Sequence, residues 1–112
     1  MEIQQPWFDY IISGRKKVEG RKGTPGWRKL KVGQQLQISE PSTNKSATVL
    51  ITDIRQYSTL EQYLNAEGVE NVLPDVSSID EGIKIYKNWS TDEQIKKWGF
   101  LAIELKVLSV SN

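Results

Sequence analysis

Residues 14–21 read Gly14-Arg15-Lys16-Lys17-Val18-Glu19-Gly20-Arg21, and their pattern predicts a turn at Gly14 followed by an extended segment from Lys16 to Arg21. Side chains alternate between the two faces of a strand, so Glu19 and Arg21 share one face while Val18 enters the core from the other. A carboxylate between Lys16 and Arg21 is ionised and hydrogen-bonded, which suits it to accept the exocyclic amine of a nucleobase or to orient a water molecule. The alternative is an ion pair that only fixes this strand to a neighbouring loop.

The strand leads into a basic loop. Its glycines and Pro25 force residues 22–31 into an irregular conformation. Residues 15–31 hold eight basic residues and one acid, a net charge of +7, and the basic residues are Arg15, Lys16, Lys17, Arg21, Lys22, Arg28, Lys29 and Lys31. Cations at this density suit a phosphate-bearing partner. The alternative is a solvated loop balanced by an acidic face elsewhere, because residues 61–93 hold eight acids and two lysines, a net charge of −6.

Trp27 lies among these cations. An aromatic face interleaved with basic side chains favours stacking on single-stranded nucleic acid, and the alternative is a loop anchor packed on the sheet. Tyr57, at the end of a predicted strand, either lines a cleft or covers the core, and Glu67 lies at a helix end. The remaining large aromatic side chains are expected to pack in the core, and they are Trp7, Phe8, Tyr10, Trp89, Trp98 and Phe100.

At 112 residues, the chain is expected to form a single domain over residues 1–112. It contains no cysteine and no histidine, which excludes disulfides, thiol and imidazole catalysis, and Cys/His sites for zinc or haem. The sequence also shows no dense carboxylate cluster, so we expect no cofactor and no metal site, and the alternative is Mg²⁺ bound loosely by carboxylates. The chain has no apolar run long enough to cross a bilayer and no secretion signal at Met1-Glu2-Ile3-Gln4, so a location in the cytoplasm or another intracellular compartment, without a membrane partner, is expected. The protein is also expected to be a monomer.

Polarity patterns predict five strands. They are Met1–Gln5, Lys16–Arg21, Gln34–Ile38, Ser46–Tyr57 and Phe100–Leu108. The last of these alternates apolar and polar residues as a strand with one buried face does.

Capping residues predict the helices. The first helix begins at Pro6, carries Trp7, Tyr10 and Ile11 on one side, and ends at Gly14. Three more follow the serines at positions 58, 78 and 90, each of which has a glutamate three residues later, as in a capping box. The predicted class is α+β: a small, largely antiparallel sheet or β-barrel with short helices after the first strand and late in the chain.

The segment of residues 14–21 also has the form G-x-K-x-x-E-x-R, which resembles the signature of ASCH domains in the PUA-like superfamily. Further matches follow in order along nearly the whole chain, and they are Gln5-Pro6-Trp7, Lys31-Val32-Gly33, Tyr57-Ser58-Thr59-Leu60, Glu67-Gly68-Val69-Glu70-Asn71-Val72-Leu73-Pro74, Ser78-Ile79-Asp80-Glu81-Gly82 and Gly99-Phe100-Leu101-Ala102-Ile103. The resemblance implies a PUA-like β-barrel. It also implies a nucleic-acid-binding module, with RNA the commoner expectation, although some members are hydrolases of a modified cytidine or nucleases.

The resemblance carries over Lys16, Glu19 and Arg21 from the motif, and Glu67 as a weaker match to a helix-borne acid of the hydrolase members. In the amidohydrolase members, the position of Glu19 is a Thr that contributes to catalysis. This chain therefore departs from them at that position.

Three functional hypotheses follow. The first is a binding module for RNA or a nucleoside, with contacts from Arg15, Lys16, Glu19, Arg21, Lys22, Trp27, Arg28, Lys29, Lys31 and Tyr57. The second is an enzyme, either similar to N4-acetylcytidine amidohydrolases or a ribonuclease, in which Lys16 and either Glu19 or Glu67 would transfer protons. The third is a protein-interaction domain whose acidic helices bind a basic partner.

Overall fold

The computed structural model describes residues 1–111. Its elements in chain order are α1 (Trp7–Ile12), β1 (Val18–Lys22), a 3-10 turn (Trp27–Lys29), β2 (Gln35–Glu40), β3 (Lys45–Tyr57), α2 (Leu60–Glu67), α3 (Val69–Val72), α4 (Ile79–Tyr86), α5 (Asp92–Trp98) and β4 (Phe100–Ser111). The strands form one antiparallel sheet in the order β1-β4-β3-β2. Two shifts of register between β3 and β4 help to curl this sheet into a half-barrel. The predicted α+β class and the antiparallel, barrel-like sheet are confirmed.

Strand β4 divides the core because its residues alternate between the two faces of the sheet. Phe100 and Ala102 pack with the helices, where Tyr63 is fully buried. Leu101 and Ile103 lie on the opposite face, in a cluster that the basic loop covers with Trp27 and Leu30. A third cluster joins α1 and the N-terminal segment to the β2–β3 hairpin.

The N-terminal segment does not form the predicted strand. Residues Met1–Gln5 make one parallel bridge, between Glu2 and Ser39, before Pro6 turns the chain into α1. Helix α1 was also expected to bury Trp7 and Tyr10 beside Ile11, but its buried residues are Phe8 and Ile11. A helix of six residues has room for one apolar stripe, and the pair spaced by three residues occupies it.

The capping boxes predict one helix start correctly and two with an error of one residue. The Ser78 side chain accepts a hydrogen bond from the Glu81 N–H, as expected. Helices α2 and α5 are capped instead by Thr59 and Thr91, each of which also carries a hydroxyl group that can accept this bond. Ser90 is not available as the cap of α5, because it is buried and its N–H donates to the Tyr86 carbonyl at the end of α4.

A buried carboxylate organises the turn between β2 and β3. Glu40 is 2% exposed, and its oxygens accept hydrogen bonds from the hydroxyl and backbone N–H groups of both Ser42 and Thr43. These bonds, led by those of the Thr43 and Ser42 hydroxyls, lower the pKa of Glu40 to about 2. The turn is therefore held by an ionised side chain over the whole physiological pH range.

Candidate functional site

A cleft of about 450 Å³ lies between β1, the N-terminal segment and the end of α4. β1 and the turn before it contribute four charged residues to its lining, which are Lys16, Glu19, Arg21 and Lys22, and the N-terminal segment contributes Glu2 and Gln4. Three tryptophans, Trp7, Trp27 and Trp89, also line it. The volume is within the range of small-molecule sites, about 300 to 1,000 Å³.

Glu19 is the central charge of this cleft. Its residue is 8% exposed, and its two carboxylate oxygens meet different cations: Oε1 lies 3.4 Å from Lys16 Nζ, and Oε2 lies 3.0 Å from Arg21 Nη2. In the antiparallel register, Glu19 is opposite Ile103 and Arg21 is opposite Leu101, so Glu19 and Arg21 lie on the same face of the sheet, as their spacing predicts. The motif thus brings its three charged residues into one cluster.

Lys16 contacts this cluster from the interior of the protein. It is 3% exposed, and Nζ donates to the carbonyls of Val18 at 2.8 Å and Val72 at 2.5 Å. With Glu19 as its third neighbour, the ammonium has no donor left for a ligand. Burial lowers the pKa of Lys16, and the charge of Glu19 opposes that shift. The lysine therefore fixes the position of Glu19.

Arg21 connects the charged cluster to the basic loop. Its Nη2 also donates to the Glu2 carbonyl at 3.3 Å, and its guanidinium carbon lies 4.7 Å from the centroid of the Trp27 ring. This is a cation–π contact, which holds the guanidinium and the indole together at the cleft wall. Trp27 packs on the sheet as a loop anchor would, and it also lines the cleft, so stacking on a nucleic acid stays a prediction.

Gly20 lets Tyr63 and Phe100 approach the floor of the cleft. A Cβ at this position would lie 2.5 Å from Tyr63 Oη and 2.6 Å from Phe100 Cε2, so only glycine fits without a shift of its neighbours. The hydroxyl groups of Tyr63 and Tyr86 are hydrogen-bonded at 2.8 Å, and burial raises the pKa of both. Tyr86 lines the cleft, where it presents a neutral phenol.

Trp89 was expected in the core, and that prediction is wrong, because the residue is 50% exposed. Helix α4 ends at Tyr86, so Trp89 follows in the connection to α5 and packs edge-on against Tyr86. Lys22 donates to the Trp89 carbonyl at 3.2 Å and to the Gln94 side chain at 3.3 Å. No local signal in the sequence marks Trp89 as exposed, because its exposure depends on where α4 ends.

The cations of the basic loop differ in whether they contact the rest of the protein. Arg28 donates to the carbonyls of Gly23 and Trp98 and to the side chain of Gln56, and so ties the loop to the sheet and to α5. Lys29 and Lys31 are exposed, and their ammonium groups have no hydrogen-bond or ion-pair partner among residues 1–111. These two lysines are the free cations of the loop.

Arg15 lies outside the cleft. It forms an ion pair with Asp75 at 2.7 Å and stacks on the Tyr10 ring. Arg15 directly precedes the cleft residue Lys16 in the chain, but its guanidinium does not join the charged cluster around Glu19. The strand β1, which carries Glu19 and Arg21, begins only at Val18.

Tyr57 and Glu67 belong to a different cluster. Glu67 accepts two hydrogen bonds from Arg55, at 2.7 Å and 2.6 Å, and a third from the Tyr57 hydroxyl. Arg55 lowers the pKa of Glu67, and burial followed by the Glu67 contact raises the pKa of Tyr57. Neither residue lines the cleft of Glu19. The pair joins β3 to the C-terminus of α2.

The arrangement in the cleft can bind a flat, polar ligand. A carboxylate held by two cations accepts N–H donors, the guanidinium of Arg21 donates, and the indoles offer stacking faces.

Among residues 1–111, no helix is long and apolar enough to span a membrane.

Comparison with known proteins agrees with the sheet topology and the motif. The family model of the ASCH domain matches residues 1–109. The crystal structure of the hypothetical protein PH0355 is 37% identical, with 96% of each chain covered and a TM-score of 0.86. The solution NMR structure of protein PF0455 from Pyrococcus furiosus is 38% identical, covers 96% of this chain and 98% of that one, and gives a TM-score of 0.74. No curated protein matches this chain. The chain belongs to the ASCH domain family, as the motif at residues 14–21 predicted.

Proposed function

We propose that this protein binds single-stranded nucleic acid, RNA in preference to DNA, with one unpaired base in the cleft and the neighbouring phosphates on the basic loop. The observation that carries the proposal is the combination of a buried, cation-held carboxylate with three tryptophans in a single cleft. The preference for RNA follows from the family, whose members are commonly expected to bind RNA.

The cleft wall supports base stacking. Trp89 is half-exposed, and Trp27 carries the guanidinium of Arg21 on its ring. Aromatic and guanidinium planes are the surfaces on which unpaired bases stack in single-strand-binding proteins. A base inside a duplex has both faces covered by its neighbours, so the cleft favours a base that has left the stack.

The loop supports phosphate contacts beside the cleft. Trp27 and Lys29 lie in the same 3-10 turn, and Lys31 follows two residues later. A strand whose base contacts Trp27 would therefore have its backbone close to these two exposed ammonium groups. Such contacts are independent of sequence and add affinity by releasing counterions.

Fluorescence anisotropy with labelled oligonucleotides tests the proposal. We expect single-stranded RNA to bind more tightly than DNA of the same sequence or an RNA duplex. Trp89→Ala should weaken binding by about 1–3 kcal/mol if the indole stacks on a base. Its matched control is Trp98→Ala, which removes a tryptophan that does not line the cleft. Equal losses in both variants, or no binding to any oligonucleotide, would contradict the proposal.

Hydrolysis of an acylated cytidine is a second candidate, and one observation favours it. Burial lowers the pKa of Lys16, whose Nζ lies 3.4 Å from a carboxylate oxygen of Glu19, and a lysine that releases its proton more readily is suited to proton transfer. In this candidate function, the lysine would give up one of its three contacts to reach the substrate. The reaction would add water across the amide bond and release cytidine and a carboxylic acid. Chromatography after incubation with N4-acetylcytidine tests it, and the same assay with short RNAs detects ribonuclease products. Turnover that is lost in Lys16→Gln and retained in Glu67→Gln would support catalysis in the cleft.

A further inference from the structure

Counting donors and acceptors in the cleft shows what a ligand must offer. A carboxylate has about four acceptor positions. Lys16 occupies one on Oε1 of Glu19, and Arg21 occupies one on Oε2. One position on each oxygen is left, so Glu19 can accept two further N–H groups that lie side by side.

Arg21 offers the complementary group. Its Nη2 is used by Glu2 and Glu19, whereas its Nη1 makes no hydrogen bond among residues 1–111, and the side chain is 30% exposed. The Nε–H is buried without a partner, so the donors that can reach a ligand are those of Nη1. The cleft therefore presents a double acceptor beside a donor.

We infer that the unpaired base held in the cleft is guanine, an inference that rests on the proposed function. Guanine is the one common base whose Watson–Crick edge carries two adjacent N–H donors, N1–H and the N2 amine, with the O6 carbonyl beside them. The two donors match the free positions of Glu19, and O6 matches the guanidinium of Arg21. The tryptophans stack on the ring without choosing among bases, so the choice is made by these two charged residues.

The other bases leave part of this edge unpaired. Cytosine and adenine each present one amine to the carboxylate, and their next edge atom is an acceptor. Uracil presents one N–H between two carbonyls, one of which would face Glu19. A buried charged group that loses a hydrogen bond is costly, so each mismatch should weaken binding about tenfold or more.

The test uses single-stranded RNA heptamers that are uridine except at the central position. Guanosine there should bind at least about tenfold more tightly than adenosine, cytidine or uridine. Inosine lacks only the N2 amine and should fall between guanosine and uridine, whereas 1-methylguanosine, which lacks N1–H, should bind no better than uridine. In Glu19→Gln, one acceptor of the pair becomes a donor, so guanosine should lose its advantage over inosine. Glu61→Gln, on the exposed face of α2, is the matched control.

The outcomes separate this inference from the proposed function. Equal affinity for all heptamers, preference for another base, or equal binding of guanosine and inosine by the unaltered protein overturns guanine recognition and leaves RNA binding in place. The inosine comparison needs no variant, so it decides the matter even if Glu19→Gln fails to fold. If no heptamer binds, the proposed function fails. Tryptophan fluorescence with guanosine 5′-monophosphate then decides the inference: quenching by this nucleotide but not by the other three supports it, and no selective quenching overturns it.

Discussion

The salt dependence of RNA binding is set by the number of basic side chains whose charges are free to meet phosphates. Of the eight basic residues in the segment 15–31, five are held by other parts of the protein, namely Arg15, Lys16, Arg21, Lys22 and Arg28. The other three, Lys17, Lys29 and Lys31, are exposed, and their ammonium groups have no partner among residues 1–111. The free charge is therefore much smaller than the composition suggests.

Each phosphate neutralised on a single strand contributes about −0.7 to the slope of log K against log salt concentration. Three free lysines therefore predict a slope no steeper than about −2, whereas engagement of all eight cations would give a slope of about −6. Replacing Lys29 and Lys31 together by Gln should reduce the slope to about −0.7. Lys84 and Lys96, two exposed lysines on α4 and α5, serve as the matched double control and should leave the slope unchanged.

Anisotropy titrations from about 50 mM to about 200 mM KCl measure these slopes. A slope near −6 for the unaltered protein would show that all five held cations, the lysines as well as the arginines, release their contacts to bind phosphate. An unchanged slope in the Lys29 and Lys31 double variant would refute the assignment of phosphate contacts to the loop.

The remaining predictions concern stability. Lys16→Met should lower the free energy of unfolding by about 3–5 kcal/mol in urea titrations, because it leaves a buried carboxylate with one of its two cations, and a loss below about 0.5 kcal/mol would contradict the anchoring role. Gly20→Ala should lower the free energy of unfolding by about 1–3 kcal/mol in the same assay, because the added methyl group overlaps Tyr63, and it should also distort the cleft. A variant of unchanged stability would show that the tyrosine can move freely. Glu40 has a folded-state pKa of about 2 and an ordinary pKa of 4.5, so its contribution to stability is complete above pH 4.5 and is lost as the pH falls towards 2. In Glu40→Gln, the free energy of unfolding should therefore fall less steeply between pH 4.5 and pH 2. An identical fall in both proteins would exclude the turn as its cause.

The strands could be predicted because one face of each is buried. Alternation placed the strand at Phe100 and the one ending at Tyr57 with small errors, and the same rule set Glu19 and Arg21 on one face. The N-terminal segment misled the prediction, since its apolar Ile3 is buried by α1 and the hairpin without a ladder of its own. Local pattern shows that a residue is buried but not which element covers it.

The charged cluster of the candidate site could be predicted because its members are close in the chain. Lys16, Glu19 and Arg21 are close in the chain, so a turn and a strand suffice to gather them. The opposite wall needs tertiary information, because Trp89 reaches the cleft through the packing of α4 on the sheet. Arg28 illustrates the reverse case: its charge and its neighbours resemble those of Lys29, and only the fold decides that its donors turn inward to Trp98.

The division between the buried and the exposed charges separates the two components of recognition. Glu19 and its cation partners are held together within the protein and act over a few ångströms, whereas Lys29 and Lys31 act on phosphates at a range limited by salt screening. Base preference should therefore change in Glu19→Gln with the salt slope preserved, and the salt slope should change in the double lysine variant with base preference preserved. Measuring both quantities for both variants is a direct check, because a substitution that moved them together would show that the cleft and the loop bind the strand as one coupled unit.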